Sequence, residues 1–126
     1  MAELVTVVVD TREQEPYSFP PRRFLVERRL ISFELAETDI PKAVVVLPDE
    51  RVSIMVNEED HLRIQGVRPG FRIAEAWEAV RDCEAVLGRR LDFAFSEDLG
   101  YLTACPTNVG TGLRVSALLH LPGLVA

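Results

Sequence analysis

Three consecutive carboxylates, Glu58, Glu59 and Asp60, are followed at once by His61 and two positions later by Arg63. Asn57 precedes them, and apolar runs flank the cluster on both sides within Val52–Val67. Packing gains nothing from such a group, because buried charge is costly unless it is paired. A cationic group could pair with a carboxylate here. A phosphate could pair with the guanidinium, whose fork geometry suits its oxygens. If the stretch is extended, Glu59, His61 and Arg63 share one face, and Leu62 and Ile64 the other. The plainer reading is a solvated hairpin tip whose ion pairs contribute about 0–1 kcal/mol.

A second constellation lies near the C-terminal end. Cys105 is followed by Pro106, Thr107 and Asn108, and Arg114 comes nine positions after the cysteine. Gly110 and Gly112 let the backbone approach a ligand closely. A thiol in this place is activated by a neighbouring cation. Taken alone, Cys105 reads first as a small core residue.

A third candidate opens the chain. The β-branched run Leu4–Val9 reads as a buried strand that ends in Asp10-Thr11-Arg12-Glu13. Carboxylates at a strand end can hold a hard divalent cation. VVVDTREQEPYSF (Val7–Phe19) resembles the opening motif of the XPF-type nucleases. That resemblance implies a metal-dependent nuclease using Asp10 and Glu13. The matching Glu-Arg-Lys motif is represented only by Glu27-Arg28-Arg29, early in the chain.

The elements that must position these residues follow from periodicity. Phe24–Ile31 is expected to be a short helix and Ser32–Pro41 a loop. Ala43–Leu47 and Arg51–Val56 read as strands joined by the turn Pro48-Asp49-Glu50. Leu62–Val67 is a further strand. Ile73, Ala76, Trp77, Val80, Cys83 and Leu87 form one apolar stripe, which predicts a helix over Ile73–Leu87 with Cys83 in the core. Gly88 is its expected stop. Leu91–Phe95 is a short apolar segment and Ser96–Gly100 a turn. Strands are expected at Tyr101–Ala104 and Leu113–Leu121. The pattern is α+β: an antiparallel sheet with one main packed helix.

Composition bounds the function. At 126 residues the chain holds one domain with a modest core. Its net charge of −6 argues against a nucleic-acid partner, which needs an excess of Lys and Arg on one face. No apolar run approaches a membrane span and no signal sequence opens the chain, so a cytoplasmic protein without membrane contact is expected. The two cysteines fit neither a disulfide framework nor a zinc site, and no metal ligand set is assigned.

Together the two main constellations carry a specific resemblance. VNEEDHLRIQ (Val56–Gln65) and YLTACPTNVGTGLRVSALLHLPGL (Tyr101–Leu124) resemble the signature blocks of the ATP:guanidino phosphotransferases, the phosphagen kinase family. FLVERRLISFEL (Phe24–Leu35), PKAVVVLPDERVSIMV (Pro41–Val56) and LDFAFSEDLGYLTACPTN (Leu91–Asn108) are similar to its bacterial protein-arginine kinases. The resemblance implies transfer of the ATP γ-phosphoryl group to a guanidino nitrogen of arginine, assisted by Mg²⁺, with a protein bearing an exposed arginine as substrate. By position, Glu59 matches the glutamate that orients the guanidinium and is the candidate base. Cys105 matches the cysteine beside the guanidinium. Arg63 and Arg114 match arginines that bind nucleotide phosphates, and Asn57, Glu58, His61 and Asn108 support them.

The resemblance covers 24–126 and leaves 1–23 as a separate N-terminal strand and proline-rich segment. Family members also carry an arginine block upstream and an arginine-bearing segment downstream, neither found in these residues. The expectation is therefore a partial catalytic domain, weak or inactive alone, whose missing arginines could come from another copy in a homo-oligomer. The alternative is a module that binds phosphoarginine, nucleotide or protein without catalysis.

Overall fold

The computed structural model describes residues 22–37 and 40–124. The expected strand at Leu4–Val9 and the residues Asp10 and Glu13 lie outside them. Two compact units divide the chain, one up to Phe93 and the other from Ala94 onward. Within them the α+β class holds: a three-stranded antiparallel sheet with helices in the first unit, and a two-stranded hairpin in the second.

The first unit begins with helix α1, Arg22–Glu27. Its end is set by backbone geometry. Arg29 takes a left-handed conformation (φ 61°). The Leu30 N–H bonds the Leu25 carbonyl at 2.9 Å and the Arg29 N–H bonds that of Val26 at 2.9 Å. This pair of bonds is the Schellman closure, with Leu25 and Leu30 in apolar contact across it. The helix therefore stops four residues before the expected Ile31.

Residues expected to be a loop instead form helix α2, Phe33–Glu37. Ser32 starts it: its hydroxyl accepts the Leu35 N–H at 3.0 Å, satisfying one of the donors a helix N-terminus leaves open. Five residues are too few for a 3.6-residue period to show in the sequence. Lys42, 7% exposed, donates from Nζ to the Leu35 carbonyl at 2.6 Å and ties the helix to the first strand.

Strands β1 (Ala43–Val46), β2 (Val52–Val56) and β3 (Leu62–Gly66) form the sheet in sequence order, all antiparallel. Val44 lies opposite Met55, and Met55 opposite Arg63. Side chains alternate along a strand, so Val44, Met55 and Arg63 share one face. That face carries the core: Val44 and Met55 pack with Leu25, Leu30, Ile31 and Leu35 of the α1–α2 segment.

Helix α3, Ile73–Leu87, spans the predicted residues. It packs on β3, and Gly66 marks the closest approach. A Cβ on Gly66 would sit 2.8 Å from the Ala76 carbonyl oxygen and 2.9 Å from Val80 Cγ2. The carbonyl belongs to the helix backbone and cannot turn aside. Gly66→Val is expected to lower stability by about 1–3 kcal/mol, as overpacking does; urea unfolding followed by circular dichroism would measure it. The helix stripe is less covered than its periodicity predicts. No α3 residue is fully buried, Trp77 is 44% exposed, and Cys83 is half-buried rather than in the core. Gly88 does close the helix, donating to the Glu84 carbonyl at 2.8 Å, but in right-handed geometry (φ −63°).

The second unit holds β4 (Phe95–Ser96) and β5 (Gly100–Tyr101), paired antiparallel. Phe95 and Tyr101 meet across the pair, edge to face, with ring centroids 5.3 Å apart. Gly100 has φ 79°, and a Cβ there would collide with the Gly110 carbonyl, so only glycine fits. Tyr101 bridges to Gly110 through two backbone hydrogen bonds of 2.8 and 3.1 Å. The expected strand Tyr101–Ala104 is thus reduced to its first residue. The expected strand Leu113–Leu121 does not form. Its residues make no ladder with any described strand, and apolar propensity cannot replace a pairing partner.

Candidate functional site

One candidate site is the connection between β2 and β3, Asn57–His61. The strands arrive in register, Val56 opposite Leu62, and five residues must reverse the chain. Asn57 makes the first bend in left-handed geometry (φ 57°), which asparagine tolerates better than most residues. Its N–H bonds the His61 carbonyl at 3.1 Å, and its side-chain Nδ2 donates to the Pro41 carbonyl at 3.1 Å. The loop is closed by its own ends and anchored to the residue before Lys42.

This geometry overturns the expectation of an extended stretch with Glu59, His61 and Arg63 on one face. Only Arg63 lies in a strand. Its partner is Glu58: Arg63 Nη1 donates to Glu58 Oε1 at 2.7 Å. The Glu58 side chain is 3% exposed and that of Arg63 41%. The second carboxylate oxygen, Oε2, accepts the Glu59 N–H at 2.8 Å. The nearby Ser32 side chain also favours the charged form of this carboxylate. The Glu58 side chain is thus a buried acceptor on which two donors converge, while Glu59 and His61 are exposed.

Burial alone would push the Glu58 carboxyl up, but the Ser32 side chain and the Glu59 N–H, together with Arg63, outweigh it and leave its pKa below the ordinary value of 4.5. A carboxyl with a lowered folded-state pKa contributes stability that is present above its unfolded pKa and lost as pH falls through the folded one. Thermal midpoints should therefore fall as pH drops below about 4.5, and this part of the fall should vanish in Glu58→Gln.

A second, separate candidate site lies in the second unit. Cys105 precedes a single turn of 3₁₀-helix, Pro106–Asn108, and the Asn108 N–H returns to the Cys105 carbonyl at 3.0 Å. The Thr103 hydroxyl donates to the same carbonyl at 2.7 Å. The Cys105 thiol, half-buried, lies 2.9 Å from the Thr107 hydroxyl. Cys105 and Asn108 are thereby held in one turn. Arg114 is exposed on the irregular stretch that follows Gly112.

Ser32 and Thr107 were not among the residues singled out by sequence. Thr107 was visible beside Cys105. Ser32 carried one signal, a serine three positions before Leu35 at the start of a short apolar pattern, which is the spacing of a helix N-cap.

Residues 13–126 match ATP:guanido phosphotransferase, C-terminal catalytic domain. The chain belongs to this family. A protein-arginine kinase of Pelotomaculum thermopropionicum is 57% identical over 103 residues, which cover 82% of this chain and 29% of that protein. Another, from Symbiobacterium thermophilum, is 56% identical over 104 residues, covering 82% of this chain and 30% of it. A third, from Moorella thermoacetica, is 58% identical over 104 residues, with the same coverages. The chain therefore spans about three-tenths of the length of these curated relatives. Among solved structures, the duplicated taurocyamine kinase from Schistosoma mansoni, with bound transition state analog components, shares the fold at a TM-score of 0.69 and 22% identity. That likeness covers 81% of this chain and 15% of the kinase. The nuclease and binding-module readings gain no support from membership of the ATP:guanido phosphotransferase family. No helix among the described residues is long and apolar enough to cross a membrane.

Proposed function

We propose that this chain is a portion of a protein-arginine kinase, with its kinase-like domain over 24–126. The reaction is transfer of the γ-phosphoryl group of ATP to a guanidino nitrogen of an arginine in a protein substrate. The N–P bond forms as the bond to the leaving ADP oxygen breaks, and the guanidinium gives up a proton. One observation carries the reading: relatives at 56–58% identity are protein-arginine kinases.

The geometry supports a division of labour between adjacent carboxylates. Glu58 is committed to holding the loop, so Glu59, exposed beside it, is the group that orients the substrate guanidinium and takes its proton. Arg63 spends Nη1 on Glu58 and presents the rest of its planar fork to a phosphate. Arg114 is the second phosphate ligand. Cys105 stands beside the guanidinium, with Asn57, His61 and Asn108 shaping the two turns. Among the described residues no group of three or more His, Cys, Asp or Glu could hold a metal ion. Mg²⁺ bound with the nucleotide through its phosphate oxygens would supply charge neutralisation there.

Incubation with ATP, Mg²⁺ and an arginine-rich protein tests the proposal. The expected product is an acid-labile phosphate on arginine. An acid-stable phosphoester would refute it. Calorimetric binding of ATP or of a phosphoarginine peptide without any transfer would favour a binding module instead.

A further inference from the structure

Asn57 is exposed, and it is the residue at which the loop carrying Glu59 leaves the sheet. It does two things, each with a different part of itself. Its backbone takes the left-handed bend (φ 57°), and its N–H bonds the His61 carbonyl at 3.1 Å. Its side-chain Nδ2 donates to the Pro41 carbonyl at 3.1 Å. The bend alone would not require asparagine. Glycine enters the left-handed region at no steric cost, but it has no side chain with which to reach Pro41.

Pro41 is a firm place to tie to. Ala43 faces Val56 as the last pair of the β1–β2 ladder, so Pro41 and Asn57 lie just beyond it on adjacent chains. Lys42, next to Pro41, is 7% exposed, and its Nζ holds the Leu35 carbonyl of α2 at 2.6 Å. The Asn57 amide thus carries the sheet contact one bond past the ladder. It fastens the first residue of the loop to the segment that joins α2 to β1. A second fastening is separate from it. The Glu58 carboxylate accepts Arg63 Nη1 at 2.7 Å and the Glu59 N–H at 2.8 Å.

We propose that Asn57 is a positioning residue for phosphoryl transfer, its side-chain amide fixing, through the Pro41 carbonyl, the place from which Glu59 reaches the substrate guanidinium. The inference rests on the role given above to Glu59. The two fastenings serve different ends. Glu58 reaches Arg63, and so the nucleotide phosphates. Asn57 holds the start of the loop, and so the guanidinium. A displaced guanidinium loses rate rather than nucleotide affinity, because in-line transfer depends on orientation.

The test uses the whole chain and two variants. Asn57→Gly keeps the bend and loses the tether. Asn57→Asp keeps the size of the side chain and its tolerance of the bend, but turns the donor into an acceptor facing a carbonyl. Three things are measured: the thermal midpoint, exchange of the Glu59 backbone N–H by NMR, and kcat and KM for ATP in transfer to an arginine-bearing protein. Both variants should keep midpoints within a few degrees of the parent. Exchange at Glu59 should quicken about 2–10-fold, the usual consequence of losing one hydrogen bond. The kcat should fall about 10–100-fold while KM for ATP holds, the scale on which a small misplacement is felt. Aspartate should be the worse of the two. An unchanged kcat in Asn57→Gly overturns the proposal. So does a raised KM for ATP with kcat intact, which would place Asn57 with the nucleotide. So does a loss of kcat that merely follows a collapse of the glycine variant's midpoint, since Asn57 would then serve the fold alone. If the parent transfers no phosphate, the activity proposed for this chain is what fails, and exchange at Glu59 decides: quickened exchange in Asn57→Gly upholds the positioning of Glu59, and unaltered exchange overturns it.

Discussion

Glu59→Gln is expected to slow phosphoryl transfer to arginine by about 10²–10⁴-fold, the usual contribution of a positioned acid or base. The amide keeps the size of the side chain and removes its charge and its capacity to take a proton. Glu59 is exposed, and glutamine retains the backbone N–H that bonds the Glu58 carboxylate. Stability should therefore stay within about 0.5 kcal/mol of the parent, as for surface substitutions in general. Steady-state kinetics with ATP and an arginine-bearing protein, beside a urea melt, would show the two effects apart. Equal rates in the variant and the parent would remove Glu59 from the mechanism. The same exchange at Glu58 should do the reverse in emphasis, because that carboxylate holds the loop rather than facing solvent.

Met55→Ala should have the largest effect on stability. Met55 is 0% exposed, lies on the middle strand, and joins Val44 to the apolar side chains of the α1–α2 segment. Truncation removes the side chain from a packed interior and leaves a void, at a cost of about 2–5 kcal/mol. Met55→Leu, which nearly conserves volume, should cost less than about 1.5 kcal/mol. Chemical denaturation of the two variants measures the difference. The alanine variant also loses the sulfur that meets the Ser32 N–H.

What the sequence made legible was whatever depends on local pattern. Apolar runs marked β1 and β2, alternation marked β3, and the apolar stripe gave α3 its observed limits, because each signal runs over several residues. Phe33–Glu37 escaped because a single helical turn has no period to read, and what starts it is one hydroxyl. The end of α1 escaped because an arginine, not a glycine, adopts the left-handed closing position. Leu113–Leu121 was over-read: its leucines and valines favour a strand, but strands exist by pairing, and Leu118 and Leu119 are 81% and 68% exposed.

At the site, the composition of the cluster announced chemistry but not which carboxylate does what. Glu58 and Glu59 are identical side chains one residue apart. Only the bend at Asn57 decides that the first turns inward to Arg63 while the second is exposed. Period-2 reasoning assigned the faces by assuming an extended chain, and the left-handed residue breaks that assumption.

The sequential order of β1, β2 and β3 has a consequence for how this part of the protein comes to exist. Each strand pairs with the next through a short reversal, so the sheet can form without closing a long loop. A single β-hairpin of this kind forms in about 1–10 μs. The Asn57–His61 turn is the second of the two reversals. The carboxylates assigned to loop anchoring and to guanidinium binding are therefore set in place by one of the first pairings the chain can make.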